Sequence, residues 1–299
     1  MRQFDDPEIF RAVFETAGTG MALATLDGRF LRVNAALCRI ADRTEEELVA
    51  TTLVEITHPD DRPLDERSLY RFRTGDSGAH VERRWLRPDG STVWVEVQAT
   101  TVHEESDGPT YLLWQVTDVT QRRQMEQRLR HLADHDGLTG LFNRRRFEEE
   151  LERHVSHSRR YGMEGAILLI DVDELKAIND SGGHRAGDAV LIAVADVLRQ
   201  RLRQSDVIAR FGGDEFAVLL PHASAIDAAT VGEDLAAGVR TGVRSPDGPV
   251  TISVGVGKLS ARVRSVDDAL SLADASMYRS KVRGGDGLAP GATEASGAA

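Results

Sequence analysis

The sequence predicts a two-domain chain of mixed α+β or α/β structure. Its 299 residues suffice for about two domains, and its hydrophobic content of 41% is enough for ordinary cores. Up to about residue 118, short apolar runs are separated by Asp-Gly pairs, which favour β-hairpins. After residue 134, helical apolar patterns alternate with continuous apolar runs that are typical of buried strands. We therefore expect an antiparallel five-stranded sheet with short helices, a linker helix, and then a central sheet surrounded by helices.

The composition restricts the partners and the compartment. The formal net charge of −11 repels duplex nucleic acid and anionic membrane, because binding to both depends on Lys and Arg. The single cysteine, Cys38, excludes an intrachain disulfide and a cysteine-based zinc site and fits a reducing cytoplasm. The first residues contain no apolar signal region, and no run of about 18 apolar residues occurs. We expect a cytoplasmic protein with no membrane span and no nucleic-acid partner.

Turn and cap signals define the first domain, residues 1–118. Asp27-Gly28 joins two apolar runs into a hairpin, and Asp89-Gly90 joins two later strands. Between these hairpins, Asn34 has the position of a helix N-cap, and the Thr44–Glu47 pair forms a capping box. The predicted order is a helix, two strands, several short helices and three strands.

Several segments of this domain match a known pattern: Gly20–Leu23, Asp27–Phe30, Val33-Asn34, Thr57–Asp61, Arg87–Ser91 and Asp118–Thr120. Together they resemble a PAS domain with its C-terminal PAC half. The resemblance implies a sensor or dimerisation module in which Asp118 and Thr120 couple the sheet to an output helix, although both residues could merely cap that helix. The ligand is unknown, because Cys38 lies outside the flavin-reactive motif and residues 63–74 lack the histidine of haem-binding members.

The pattern of residues 119–134 predicts an exposed signalling helix that forms a short coiled coil. Met125, Leu129 and Leu132 are spaced as in a coiled-coil seam, but this seam covers less than two heptads. Such a helix is too short to dimerise alone. We expect a homodimer through the PAS domain and the linker helix; the alternative is a monomeric linker. The tail, residues 287–299, is predicted to be disordered.

The second domain, residues 135–286, contains carboxylates at the end of one predicted strand and at the tip of a predicted hairpin. The apolar run Ala166–Ile170 predicts a strand buried on both faces, and it is followed by Asp171. Gly212-Gly213 predicts the tip of a hairpin that carries Asp214 and Glu215. Acidic groups brought together from separate segments repel one another unless a cation lies between them. Hard oxygen ligands favour Mg²⁺, with Mn²⁺ as an alternative, and the following helix start offers N–H groups to phosphate.

Five ordered motifs span this domain: Asp136–Arg145, Asp171–Asp188, Arg210–Phe216, Thr251–Gly255 and Ala273–Lys281. They resemble a diguanylate cyclase of the GGDEF family. The resemblance implies a palm-like fold similar to that of nucleotidyl cyclases. It also implies an enzyme that joins two GTP molecules into cyclic di-GMP and releases two pyrophosphates. Since one domain binds one GTP, two domains must meet across a two-fold axis.

The resemblance also implies residue roles. Asp171, Asp214 and the carbonyl of Val172 would bind the metal. Asp214 or Glu215 would help to activate the 3′-hydroxyl, and Lys176 would stabilise charge. The phosphates would be held by Lys281 and by the backbone amides of Glu174 and Leu175. The guanine would be bound in the region of Asn179, His184 and Asp188.

Other features leave alternatives open. Arg203 and Asp206 match the RxxD inhibitory site of the family, which binds the product; otherwise they only end a helix and start a strand. Asp173 is predicted to cap the following helix. Gly285 replaces an arginine that the family uses for phosphate, so we expect weaker GTP binding. The alternative to an active enzyme is a non-catalytic GGDEF receptor for cyclic di-GMP or GTP.

Overall fold

The computed structural model describes residues 7–103, 110–282 and 287–288. The chain divides into two compact units, with the division after Arg128. None of the helices among these described residues is long and apolar enough to cross a membrane.

The first unit is an antiparallel sheet with short helices, as predicted. Within the described residues the sheet has five strands in the order β2-β1-β5-β4-β3, with antiparallel pairing throughout. Its core contains Phe30, Trp85 and Trp114, all fully buried. The elements are α1 (Pro7–Thr16), β1 (Gly20–Ala24), β2 (Phe30–Val33), α2 (Ala35–Ala41), α3 (Glu45–Val49), α4 (Leu53–Ile56), a 3₁₀ turn (Pro59–Asp61), α5 (Arg62–Arg73), β3 (Gly78–Leu86), β4 (Thr92–His103) and β5 (Thr110–Asp118).

The predicted caps are present. The side chain of Asn34 accepts a hydrogen bond from the backbone N–H of Leu37 at the start of α2. Thr44 and Glu47 form the reciprocal capping box at the start of α3. These side chains satisfy backbone donors that the first turn of a helix leaves without partners, so the local sequence sets where both helices begin.

The linker helix α6 (Thr120–Asp134) is anchored to the first sheet at its start. Thr120 Oγ1 accepts from the backbone N–H of Trp94 at 2.9 Å, and Asp118 Oδ1 accepts from the backbone N–H of Thr120 at 2.8 Å. The guanidinium of Arg123 lies 3.8 Å from the ring centroid of Trp94. Asp118 therefore bonds the first N–H group of the helix while Thr120 ties the helix to the sheet, and signal coupling through this pair stays a prediction.

The second unit is built on a mixed sheet. Within the described residues the strand order is β13-β12-β7-β9-β8-β6. One face packs against α8, α9 and α10, and the other packs against α7 and α11. The elements are β6 (Phe142–Asn143), α7 (Arg144–Tyr161), β7 (Gly165–Val172), α8 (Leu175–Gly182), α9 (His184–Arg201), β8 (Val207–Arg210), β9 (Glu215–Pro221), α10 (Ala225–Gly242), β10 (Arg244–Ser245), β11 (Gly248–Pro249), β12 (Ile252–Leu259), α11 (Val266–Val282) and β13 (Gly287–Leu288).

The strand β7 lies at the centre of this sheet, and all its residues are buried. Both of its neighbours, β12 and β9, run antiparallel to it. The tip of the β8–β9 hairpin consequently meets the carboxyl end of β7, where the sequence predicts the site. The predicted tail differs in one respect: Gly287 pairs with Ser253 in a short parallel strand, while residues 289–299 lie outside the described part of the chain.

Candidate active site

Two acidic segments meet at the carboxyl end of β7. Asp171 is the cross-strand partner of Glu215 on β9. The backbone N–H of Val172 donates to the carbonyl oxygen of Asp214 at 3.0 Å. Because side chains alternate along a strand, Asp171 projects to the face of α11 while Val172 projects into the opposite core. The pairing register therefore brings together the carboxylates that the sequence identified separately.

The pKa values of Asp171 and Glu215 lie above their ordinary values. Burial raises the pKa of Asp171, which is 8% exposed; Lys281 lowers it, and Asp214 and Asp173 raise it again. Burial also raises the pKa of Glu215, and repulsion from Asp171 and Asp214 adds to the effect. Lys281 on α11 relieves part of this repulsion, since its Nζ lies 2.8 Å from Asp171 Oδ2. The site thus holds excess negative charge that favours a bound cation.

The donor set fits a hard cation. Carboxylates and a backbone carbonyl are the ligands that Mg²⁺ prefers, with its remaining positions left to water and phosphate. The described residues contain no group of three or more His, Cys, Asp or Glu side chains placed to hold a metal ion. The predicted ligand set of Asp171, Asp214 and the Val172 carbonyl uses only two side chains. It therefore leaves coordination positions of the metal open for phosphate oxygens.

The turn between β7 and α8 has an unusual backbone. Glu174 is the N-cap of α8 and has φ 55°, in the left-handed region, and its side chain makes no capping hydrogen bond. Leu175 begins α8 and is buried, whereas Glu174 and Lys176 are exposed. Free N–H groups of a first helical turn attract anions. The turn that is predicted to bind phosphate is a tight corner beside the acidic cluster, and its binding of phosphate stays a prediction.

The prediction that Asp173 caps α8 is wrong. Its carboxylate instead accepts from the hydroxyl groups of Thr251 and Ser253, each at 2.7 Å. Because Glu174 takes the left-handed conformation, the cap position moves one residue along the chain. Asp173 is consequently turned towards β12 rather than towards the helix N–H groups.

The predicted base-reading residues lie on α8 and α9. His184 and Asp188 are exposed and lie one turn apart on α9, so they share a face. Asn179 on α8 is half-buried and packs against Gly187: a Cβ atom at Gly187 would lie 2.1 Å from Asn179 Oδ1. Gly187 was not assigned a role from the sequence; a glycine inside a helix is a signal that something approaches closely.

The RxxD pair forms a compact turn between α9 and β8. Asp206 Oδ2 accepts from the backbone N–H of Arg203 at 2.8 Å, and the Arg203 carbonyl accepts from the Asp206 N–H at 3.0 Å. The Arg203 side chain is exposed. Arg203 and Asp206 are therefore neighbours at the surface, next to the hairpin.

A salt bridge missed by the sequence reasoning supports the hairpin tip. Arg210 Nη1 lies 3.3 Å from Asp136 Oδ1, and Arg210 Nη2 donates to the Gly213 carbonyl at 2.7 Å. Burial raises the pKa of Asp136, but hydrogen bonds from Thr139 and the charge of Arg210 outweigh it, so the pKa lies below its ordinary value. Both residues belong to motifs of the family, but 74 positions separate them, so local sequence patterns do not predict that they form an ion pair.

A cavity of about 260 Å³ lies beneath Glu215 on the α7 and α11 side of the sheet. Arg144, Phe211 and Asp274 contribute to its wall. The guanidinium of Arg144 lies 4.5 Å from the Phe211 ring centroid. Gly285 and Arg283, which bear on the missing phosphate-binding arginine, lie outside the described residues.

Comparison with known proteins identifies the family of each domain. A family model described as "Diguanylate cyclase, GGDEF domain" matches residues 133–287, slightly more than half of the chain. The chain belongs to the GGDEF family. A PAS-fold model matches residues 8–119, so a PAS domain precedes the GGDEF domain, as the sequence predicts.

Named relatives share the GGDEF region. The probable diguanylate cyclase DgcC of Escherichia coli K12 is 38% identical over 168 residues, which are 55% of this chain and 45% of that protein. The diguanylate cyclase TpbB of Pseudomonas aeruginosa PAO1 is 40% identical over 157 residues, 51% of this chain and 36% of that protein. The chain therefore spans less than half the length of these curated relatives.

A solved structure shares the fold. The crystal structure of the coiled coil and GGDEF domain of DgcB from Caulobacter crescentus in complex with c-di-GMP is 30% identical, with a TM-score of 0.53. The match covers 56% of this chain and 91% of that one.

Proposed function

We propose that the protein is a diguanylate cyclase that condenses two GTP molecules into cyclic di-GMP. In each half-reaction a ribose 3′-oxygen attacks the α-phosphorus of the other GTP, a phosphodiester bond forms, and the bond to the β-phosphate oxygen breaks. Two protons leave the two 3′-hydroxyls, and two pyrophosphates are released. The observation that supports this reaction is the meeting of Asp171, Asp214 and Glu215 beside Lys281.

Each part of the site has a chemical task in this proposal. Asp171, Asp214 and the Val172 carbonyl would hold Mg²⁺ (Mn²⁺ is the alternative), and the metal would supply charge neutralisation and activation of the attacking hydroxyl. Glu215, whose pKa is raised by burial and by its acidic neighbours, accepts the 3′-hydroxyl proton more readily than an ordinary carboxylate. Lys176 and Lys281 stabilise the phosphates.

Guanine recognition belongs to α8 and α9. Asn179 and Asp188 present an amide and a carboxylate to the guanine edge, and His184 completes the region. A carboxylate accepts hydrogen bonds from the N–H groups of guanine, and adenine lacks that donor pattern, so we assign specificity for GTP to Asp188.

The domain arrangement suggests control through dimerisation. One GGDEF domain binds one GTP, so two chains must present their sites to each other. Met125, Leu129 and Leu132 on α6 are 65–67% exposed and offer an apolar seam for a second copy. The PAS domain then acts by shifting the population between dimer geometries.

Incubation of the purified protein with GTP, ATP and Mg²⁺ tests the reaction. The expected product is cyclic di-GMP alone, and Asp214→Ala should abolish it. A protein that binds GTP or cyclic di-GMP but forms no cyclic product would instead be the receptor, and a mixed cyclic dinucleotide would overturn the specificity of Asp188.

Product inhibition is assigned to Arg203 and Asp206. Arg203→Ala removes an exposed guanidinium suited to bidentate contact with a phosphate or base, so added cyclic di-GMP should inhibit the variant at least tenfold more weakly. Initial rates against product concentration measure this. Arg262→Ala, another exposed arginine of the same domain, is the control, and unchanged inhibition of Arg203→Ala would refute the assignment.

A further inference from the structure

The carboxylate of Asp173 is held at both of its oxygens. Thr251 Oγ1 donates to Oδ2 and Ser253 Oγ donates to Oδ1, each at 2.7 Å. The backbone N–H of Asp173 also donates to the Thr251 carbonyl at 3.0 Å. We call this set of hydrogen bonds the Asp173 clamp; it joins the end of β7 to the start of β12.

The clamp lies between two backbone groups with proposed functions. Val172, whose carbonyl is assigned to the metal, precedes Asp173, and its N–H is fixed by the Asp214 carbonyl at 3.0 Å. Glu174, whose amide is assigned to phosphate, follows with φ 55°. A non-glycine residue in this region is strained and persists only when its surroundings hold it.

We propose that Asp173 is a positioning residue that fixes the phosphate-binding turn, and that it is not a metal ligand. The inference rests on the proposed function for the identity of the ligand. Although Asp173 lies two residues from Asp171, each of its oxygens is engaged by a hydroxyl group, so metal coordination would require these bonds to rearrange. Because the clamp ties Asp173 to the start of β12, it instead fixes the orientation of the backbone amides of Glu174 and Leu175, which follow Asp173 in the chain.

Three variants separate positioning from ligation. Asp173→Asn keeps the shape and can still bond both hydroxyls, because hydroxyl groups donate and accept, but it loses the negative charge. The double variant Thr251→Val/Ser253→Ala keeps the charge and removes the partners. Asp173→Ala removes both. The control is Thr230→Val/Thr241→Val, which removes hydroxyls that bond carbonyls of their own helix, α10.

Equilibrium binding of a non-hydrolysable GTP analogue with Mg²⁺ is the first measurement. A positioning role predicts that affinity falls about tenfold in Asp173→Ala and in the double hydroxyl variant, as expected for the loss of part-buried hydrogen bonds to a charged group, while Asp173→Asn stays within about twofold of the wild type. Equal losses in Asp173→Asn and Asp173→Ala, with wild-type affinity in the double hydroxyl variant, would show that Asp173 binds the metal and would overturn the proposal.

Amide hydrogen exchange of the nucleotide-free protein gives a second measurement that does not depend on the reaction. We expect residues 174–178 to exchange several-fold faster in the double hydroxyl variant and at the wild-type rate in Asp173→Asn. Unchanged exchange in the double variant overturns the clamp even if the enzyme is active. Failure of the wild type to form cyclic di-GMP overturns the proposed function and leaves the exchange result standing. If Asp173→Ala does not fold, the other two variants carry the test.

Discussion

At the scale of single residues, small side chains decide how closely functional groups approach. Gly187 lies in the interior of α9, where glycine costs about 1 kcal/mol relative to alanine. Its helix accepts that cost beside Asn179, whose Oδ1 would lie 2.1 Å from a Cβ at position 187. We therefore regard the contact as the reason for the glycine.

Gly187→Ala should separate stability from recognition. Alanine favours the helix, so the midpoint of thermal unfolding should stay equal or rise, but the displaced Asn179 should weaken GTP binding about tenfold and reduce the preference for GTP over ATP. Calorimetry and nucleotide titration measure the two effects. Gly242→Ala is the control, because a Cβ at this position would lie an ordinary 3.6 Å from Val197 Cγ2. Unaltered nucleotide preference in Gly187→Ala would contradict this interpretation.

His154 makes the stability of the GGDEF domain depend on pH. It is 7% exposed, and burial lowers its pKa, with repulsion from His222 and His157 adding to the effect. The unfolded chain takes up a proton near pH ~6.5 while the folded one resists it. The contribution of His154 is therefore fully present above that pH and is lost as the pH falls towards the lowered folded pKa.

We expect the wild type to lose unfolding free energy through this group as the pH falls from 7 to 5. His154→Gln does not titrate and should show a correspondingly smaller loss over the same interval. Urea unfolding at several pH values measures the difference. Identical pH profiles of variant and wild type would show that His154 is not the group responsible.

At the scale of elements, the site depends on how α11 packs against the sheet. A Cβ at Gly255 on β12 would lie 2.2 Å from the Ala273 carbonyl and 2.5 Å from the Met277 nitrogen. These are backbone atoms of α11, so the helix itself would have to move. Since α11 carries Lys281, this close approach determines where the ammonium group meets Asp171.

Gly255→Ala should thus damage both the fold and the site. We expect a loss of about 1–3 kcal/mol in unfolding free energy from overpacking, together with a higher KM for GTP because Lys281 is displaced. Denaturant unfolding and steady-state kinetics measure the two effects. Gly78→Ala in β3 is the control, since its Cβ would lie a comfortable 3.7 Å from the Ala99 carbonyl. A variant with normal stability would mean that α11 adjusts freely.

The elements also show why prediction succeeded in part. Continuous apolar residues identified β7, and adjacent glycines identified the hairpin tip, because strand burial and turn geometry are local signals. The partners of Asp173 lie 78 and 80 positions away, and an Asp before a helix normally caps it. The left-handed conformation of Glu174 moves the N-cap position from Asp173 to Glu174, and no local sequence pattern predicts this conformation. The Asp171–Lys281 ion pair joins residues that are still further apart in the sequence.

At the scale of the whole molecule, α6 presents its apolar seam to solvent. Leu129→Lys/Leu132→Lys should prevent a second copy from packing there, because like charges would face each other across the seam. We expect a monomeric mass by light scattering and at least a tenfold loss of cyclic di-GMP synthesis at micromolar protein. Gln124→Lys/Gln127→Lys, on the outward side of the helix, is the control. Full activity in a monomeric seam variant would refute the requirement for two chains.

The ion pair between Lys281 and Asp171 has a consequence for the order in which ligands arrive. The free protein already supplies the most buried carboxyl group of the site with a positive neighbour, so a lone divalent ion must compete with a tethered ammonium group. An ion that enters with a nucleotide brings phosphates to which the lysine can transfer. We therefore expect metal and nucleotide to enter together, which would make the resting protein insensitive to changes in free Mg²⁺ and responsive to the Mg²⁺-bound nucleotide.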